Sequence, residues 1–248
     1  MCYHVSTAKE DRLKEYAANY ELRNYNAYFY VNGFDHQFMP VTTNKEPKVI
    51  DRAVWGLVNS DTADPAEAKR LADEGLNARD DRLFVSKFSP YSGNRCLVWV
   101  DGFYEWQHVE YKTQGKGARM RTVKEKWPYY IYMPGHTPFT IGGIYSEWVN
   151  PVTGEILNTL AIITTEANEL LAEIHNTKKR MPLIIQEQDR GKWLSDMPKD
   201  EMKALMKPLP DGILRAHTIS KLITSRTENP NQQAVQEPHI YNKGNTLF

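Results

Sequence analysis

The sequence predicts an α+β fold: a mainly antiparallel, barrel-like or paired β-sheet core with peripheral helices. Two observations lead there. Apolar runs such as Arg95-Cys96-Leu97-Val98-Trp99-Val100 and Thr159-Leu160-Ala161-Ile162-Ile163 read as buried strands, and such runs outnumber the helical stripes. The two kinds also fail to alternate regularly, which argues against a doubly wound parallel sheet. No internal repeat or convincing boundary divides the chain. Residues 1–225 are therefore expected to form one domain, and the polar stretch 226–248 a partly flexible C-terminal tail.

In order, Cys2 to Val5 forms a short strand. Thr7-Ala8-Lys9-Glu10 has the form of a capping box opening a helix. Leu13, Tyr16, Ala17, Tyr20 and Leu22 keep a helical stripe to about residue 23. Asn26 to Phe38 and then Pro40-Val41-Thr42-Thr43 read as strand, loop, strand. Val49 to Val58 is a buried strand. Asp64 caps a helix with Pro65 at its first position, and Gly75 ends it. Asn77-Ala78-Arg79 lies just beyond, in loop or strand. The Arg95–Val100 strand runs into Asp101-Gly102-Phe103-Tyr104-Glu105-Trp106. Gln107 to Lys126 carries six lysines and arginines against two glutamates, and reads as a solvated hairpin loop or a phosphate-contacting arm. Tyr129 to Met133 and Thr140 to Trp148 are strands. After the Thr159–Ile163 strand, Thr164-Thr165 caps a helix from Glu166 to Ile174 that delivers His175 at its C-terminus. Leu183-Ile184-Ile185 is one more strand, followed by short helices over Glu187–Leu194 and Lys199–Met206.

Composition bounds the function. The chain has 248 residues, 41% hydrophobic and 25% charged, enough to bury a full core without staples. Its two cysteines, Cys2 and Cys96, supply neither a disulfide framework nor a four-cysteine zinc site. A reducing, cytoplasmic compartment is expected. The N-terminus lacks the apolar core of a secretion signal, and no apolar run is long enough to span a membrane. Formal net charge is +0, so a nucleic-acid partner would be held by a local basic surface.

The chemistry starts at Met1-Cys2. Cys2 is small, so the initiator methionine is expected to be removed. A cysteine then carries a free α-amine beside its thiol. The amine condenses with an aldehyde to a Schiff base, and the thiol closes a thiazolidine ring, which no internal cysteine can do. The plain alternative is a frayed, inert terminus. Glu105, between Tyr104 and Trp106, is a carboxylate in an aromatic strand. Burial would raise its pKa and suit it to acid–base work, unless it faces solvent. His175 can shuttle protons near neutral pH, or simply complement a helix C-terminus. Asn77 can orient a substrate oxygen or cap a turn. Arg79 and Arg180 can grip phosphates or be ordinary surface arginines. The histidines fall at no metal-ligand spacing, so no metal or other cofactor is expected. Gly115-Lys116-Gly117 lacks the strand-to-helix setting of a phosphate loop.

Taken together, Met1-Cys2, Trp55-Gly56-Leu57, Asn77-Ala78-Arg79, Arg95-Cys96-Leu97, Asp101–Trp106, Thr164-Thr165-x-Ala167-Asn168, His175 and Arg180-Met181-Pro182 resemble the SRAP (SOS-response-associated peptidase) family. The match runs from residue 2 to about Ser220. The resemblance implies a DNA-repair protein that binds single-stranded DNA as a monomer and cross-links to abasic sites through the mature Cys2. It implies association with the nucleoid when bound, and lyase and self-processing activities. By that analogy Asn77 positions the opened sugar, Glu105 assists ring opening and proton transfer, and His175 acts as acid–base in Schiff-base formation and reversal. The chain departs from the family pattern at Tyr3-His4, where glycine and a phosphate-binding arginine are usual, at Val58-Asn59-Ser60, and in the spacer Asn176-Thr177-Lys178-Lys179. Lys178 and Lys179 can restore the lost charge. Two other readings remain: a cysteine peptidase using Cys2 and His175, and a non-catalytic reader of single strands or modified bases with Trp106 stacking on bases.

Overall fold

The computed structural model describes residues 2–114 and 120–242. Thirteen strands run through these residues. They are β1 (His4–Thr7), β2 (Glu21–Leu22), β3 (Val31–Asn32), β4 (Phe38–Thr43), β5 (Val49–Trp55), β6 (Asn77–Arg79), β7 (Arg95–Gln114), β8 (Met120–Tyr132), β9 (Phe139–Val149), β10 (Ile156–Glu166), β11 (Arg180–Pro182), β12 (Ile184–Ile185) and β13 (Arg215–Thr218). The helices are α1 (Glu10–Tyr16), α2 (Pro65–Glu74), α3 (Glu169–Ile174), α4 (Glu187–Leu194) and α5 (Lys199–Leu205).

Five strands close a ring: β7 pairs β9, β9 pairs β10, β10 pairs β5, β5 pairs β4, and β4 returns to β7. Only the β10–β5 contact in this ring is parallel. The barrel-like antiparallel core is therefore as the sequence predicts. Closure leaves no free edge in the ring. Every ring strand sends side chains inward, among them Met39, Trp55, Val98, Ile141 and Leu160, and Cys2 is buried in the same cluster. The outer faces need covers. Trp193 and Met202, on α4 and α5, pack over Leu97, Ile144 and Ile163, and Leu13 of α1 packs over Ile50 and Trp99.

Several local expectations need correction. Thr7 does not cap α1. It ends β1, and its hydroxyl accepts from the Tyr28 amide at 2.7 Å. Lys9 occupies the cap position with no side-chain bond, and α1 stops at Tyr16 rather than near residue 23. Likewise Thr164 and Thr165 stay in β10. Asn168 caps α3, accepting from the Leu171 amide at 3.0 Å. Strand pairing outcompetes the threonine caps because these residues lie within the sheet ladder. The basic stretch is no loose loop: β7 and β8 pair in register from Gly102 with Tyr132 to Gln114 with Met120. The Gly115-Lys116-Gly117 reading lies outside the described residues.

The polar C-terminal stretch packs back onto the barrel as far as Tyr241. Val235 is fully buried beside Tyr104 and Tyr130. The Asn231 side chain accepts from the Phe29 amide at 2.8 Å, and the Tyr241 ring stacks on Trp127 at 5.1 Å. No described helix is long and apolar enough to cross a membrane.

Candidate active site

Strand β7 aims the central carboxylate, and one irregularity decides its direction. Side chains alternate along a strand, so Cys96, Val98 and Val100 enter the barrel while Leu97 and Trp99 face out. Simple alternation would then send Gly102 and Tyr104 inward. Instead Phe103 is in the barrel cluster and Tyr104 in the cluster behind it. The switch is a β-bulge. Ser6 of β1 opposes Gly102, and Thr7 opposes Val100, so Asp101 is the extra residue. The bulge turns Phe103 and Glu105 to the Cys2 side. Asp101 is 1% exposed, and its Oδ2 pairs with the Arg12 guanidinium at 3.1 Å. Arg12 also donates to the His136 carbonyl at 3.2 Å. Only glycine fits beside the bulge: a Cβ on Gly102 would lie 2.5 Å from the Ile131 carbonyl oxygen.

Glu105 is buried, and its Oε1 has no hydrogen-bond partner among the described residues. Burial pushes its carboxyl up to about 8, against the pull of the N-terminal ammonium first and then of the Trp106 backbone amide and Lys178. At neutral pH it is mostly a protonated acid. Cys2 is fully buried, its Sγ 3.8 Å from the His4 carbonyl. Burial first, and then the Glu105 charge, drive its thiol well above the usual cysteine range. His175 caps the C-terminus of α3, as its placement in the sequence implies. Its Nδ1 lies 2.8 Å from the Arg180 carbonyl, which can only accept, so Nδ1 carries the proton and Nε2 keeps its lone pair. Burial pulls the ring below its ordinary pKa, so the neutral form dominates. Glu105 and His175 both line an open cleft of about 340 Å³, with Tyr3, Trp106 and Lys178 also in its wall.

The other expected residues divide. Asn77 lies in β6 opposite Ile162, between the barrel residue Leu76 and the outward-facing Ala78. Both of its side-chain amide atoms are buried without a partner. It is not in the wall of the cleft. Arg79 shares the Asn77 side of β6, is exposed, and pairs with Asp81 at 2.6 Å. Arg180 is turned inward: its guanidinium meets Asp80 at 2.8 Å and the Thr164 carbonyl, with 11% of the side chain exposed. Trp106 stands at the cleft with its ring edge-on to His4, centroids 4.7 Å apart. His4 was a departure rather than a candidate. Its Nδ1 bonds the Tyr30 hydroxyl at 2.9 Å, and burial lowers its pKa to about 4, so the ring is neutral. Among the described residues no group of three or more His, Cys, Asp or Glu is placed to hold a metal ion.

The profile of the SOS response associated peptidase (SRAP) family matches residues 1–226. The chain belongs to this family. A Bacillus subtilis relative named abasic site processing protein YoqW is 30% identical over 181 residues, 71% of each chain. The Xenopus tropicalis abasic site processing protein HMCES is 28% identical over 205 residues, covering 73% of this chain and 56% of that one. A solved structure of a Bacteroides thetaiotaomicron protein superposes with a TM-score of 0.80 at 28% identity, over 96% of this chain and all of the other. Within the SRAP frame, Asp101 is what sequence reasoning passed over. It sat in the quoted hexapeptide, but nothing in a linear pattern marks it as the bulge residue. Cys96 is the reverse case, a second thiol that packs: a Cβ on Gly143 would lie 2.9 Å from its Sγ.

Proposed function

We propose that the protein captures abasic sites in single-stranded DNA as a covalent cross-link through Cys2. Two SRAP relatives bear the name abasic site processing protein. The observation that carries the reading is Glu105: a buried carboxyl, protonated near neutral pH, with an unmet oxygen, on the same side of β7 as Cys2.

Removal of Met1, by self-cleavage or by an aminopeptidase, exposes the α-amine. Glu105 gives its proton to the ring oxygen and its carboxylate takes the proton of the C1′ hydroxyl, so the abasic sugar opens to the aldehyde with no net proton change. The amine attacks C1′, and water leaves as the imine forms. The thiol then adds to the imine carbon while its proton passes to nitrogen, so a thiazolidine forms with net loss of one water. Neutral His175, with a free Nε2 lone pair, takes or returns protons in imine formation and reversal. From the imine, loss of a C2′ proton would expel the 3′ phosphate, a lyase side reaction. By the family resemblance Asn77 orients the opened sugar, although its unpartnered amide is buried outside the cleft wall. Trp106 offers a stacking face, and Arg79 and Lys178 offer charge to the backbone. Arg180 commits one terminal nitrogen to Asp80 and Thr164, keeps a buried Nε without a partner among the described residues, and presents its carbonyl to His175. A thiolate peptidase fits less well. The Cys2 thiol is pushed toward its neutral form, and the described hydrogen bond of His175 goes to Arg180. Aminothiol capture begins at the amine and needs no preformed thiolate.

Intact mass spectrometry with abasic and undamaged oligonucleotides tests this. Wild type and Cys96→Ser should lack Met1 and gain one DNA mass on abasic substrate alone. Cys2→Ala should form no stable adduct, and at most an imine trapped by borohydride. A Cys2→Ala protein that keeps a stable adduct, or a Cys96→Ser protein that loses it, would overturn the assignment.

A further inference from the structure

Away from the cleft, a larger cavity of about 450 Å³ opens between Tyr16, Tyr20, Lys48, Glu187 and Arg190. Its volume falls within the range of ligand pockets, and nothing in the cross-linking chemistry uses it. Arg190 is half-buried, and it is held from two sides. Its guanidinium stacks on the fully buried Trp99 indole, 4.6 Å from the ring centre, and its Nε donates to Thr140 Oγ1 at 3.3 Å. Its terminal nitrogens have no partner among the described residues. Among those residues no carboxylate lies within ion-pair distance of Arg190; the Glu187 charge acts on it from farther off, and buried Arg95, which also lacks a paired carboxylate, bonds three backbone carbonyls instead. A buried arginine normally meets its counter-charge, because a desolvated cation is costly unpaired. Lys48, also in the lining, makes a similar contact. Lys48 Nζ sits over the Tyr20 ring at 5.2 Å without a carboxylate, and Tyr20 packs edge-on against Trp99 at 5.2 Å. Two cations are thus fixed by one aromatic chain around one cavity, with Glu187 the carboxylate in the lining.

We propose that this cavity binds the phosphate of a nucleotide, with Arg190 and Lys48 on the phosphate and Tyr16 and Tyr20 beside the base. A fixed guanidinium fork suits bidentate contact with phosphate oxygens. Two cations against one carboxylate, Glu187, leave the lining net positive, which suits a phosphate. The aromatic walls favour a base over a bare anion. Glu187 repels a second negative group and can accept from a sugar hydroxyl or base amine. The same chemistry is offered by a free mononucleotide and by a 5′-phosphorylated strand end.

Isothermal titration of the purified protein with dAMP, deoxyadenosine and inorganic phosphate decides it. dAMP should bind at least ~10-fold more tightly than either fragment, a difference of about 1.4 kcal/mol. Arg190→Gln should weaken dAMP binding by ~10-fold or more, and Lys48→Gln by a few-fold, as expected for lost charge-assisted contacts. Lys48 is exposed, so its variant keeps the test decisive if Arg190→Gln fails to fold. A 5′-phosphorylated oligonucleotide that competes with dAMP, where its 5′-hydroxyl twin does not, assigns the source to a strand end; no competition assigns it to the free nucleotide. Absence of dAMP binding at millimolar concentration, or binding that both variants leave unchanged, overturns the proposal. Cross-linking through Cys2 would be untouched by that result, and loss of cross-linking in Cys2→Ala would not bear on dAMP.

Discussion

Tyr104 and Glu105 are neighbours on one strand, and their two faces are built by different rules. Behind the strand, the Tyr104 hydroxyl donates to the Phe29 carbonyl at 2.5 Å and meets Gln236 at 3.3 Å. Gln236 also reaches Ser6 at 2.8 Å, so the C-terminal stretch ties β1 to β7. Of that cluster, the Tyr130 hydroxyl alone is left buried and unpartnered among the described residues. In front, Glu105 carries an unmet buried oxygen in the cleft wall, and Asn77, on β6 outside that wall, carries two unmet buried amide atoms. A buried polar group without a partner costs about 1–3 kcal/mol. The rear face secures the strand, and the front face keeps polar groups free for a substrate to satisfy.

The strongest way to break this contrast is Glu105→Gln. Capture of abasic DNA should slow by ~10²–10⁴, the usual loss of a general acid. Affinity for intact DNA should hold, because no phosphate contact is removed. Stability should move the other way. The folded carboxyl holds its proton up to about 8, while the unfolded one releases it from about 4.5. The folded state therefore binds the extra proton between those values, and wild-type stability falls as pH rises through that window. Glu105→Gln removes the fall, so it should gain on wild type by roughly 1–4 kcal/mol at pH 9 and little at pH 4. Denaturant melts across pH beside single-turnover capture check both halves. Wild-type capture by this variant would remove Glu105 from the mechanism.

Next in size is the bulge that separates the faces. Arg12→Ala removes the ion pair of buried Asp101 and leaves it with the charge and backbone amide of Lys9, and Asp101 Oδ1 already lacks a partner. Arg12 is 36% exposed, so water screens part of the loss. About 1–3 kcal/mol of destabilisation is expected. Capture should also slow, since the bulge sets the direction of Glu105. The ¹³C titration of Glu105 should shift toward the ordinary glutamate value. A folded Arg12→Ala protein with an unmoved titration would show that the bulge holds without its ion pair.

These positions also show what the sequence could and could not carry. Barrel strands such as Arg95–Val100 and Thr159–Ile163 were legible because both faces are covered and the apolar run is continuous. The family pattern proposed Cys2 and Glu105 for one site, and the burial of Glu105 was legible through its aromatic neighbours. The bulge was not, because a single extra residue leaves no compositional trace. The end caps failed where Thr7, Thr164 and Thr165 had a sheet to join. Residues 226–248 read as a partly flexible tail because they are polar, yet Asn231, Val235 and Gln236 each find a specific partner on the barrel. Arg180 looked like a phosphate contact, and its counter-charge, Asp80, lies 100 residues away in sequence.

A smaller effect tests the rear face. Gln236→Ala removes the donor to Ser6 and Tyr104 and should lower stability by about 1 kcal/mol. Capture rates at 25 °C should stay within ~2-fold of wild type, because Glu105 keeps its bulge and its face. A large drop in capture with little loss of stability would mean that the rear face steers Cys2 directly, and the division between the two faces would fail.

The smallest effect sharpens where the front face ends. Arg79 lies on the Asn77 side of β6, exposed, with Asp81 as its partner. An exposed pair of this kind contributes little to the fold, so Arg79→Ala should melt within ~0.5 kcal/mol of wild type. On single-stranded DNA it should bind a few-fold more weakly, and the slope of log K against log salt should become shallower by about 0.7, the value for one lost phosphate contact. The loss should be the same on every sequence, because a phosphate contact carries no base information. Arg180→Ala makes the useful control. It breaks a nearly buried pair with Asp80 and should destabilise the protein while leaving the salt slope alone. If Arg79→Ala leaves the slope unchanged, the strand does not run past β6, and Lys126 and Lys178 at the cleft become the next phosphate contacts to remove.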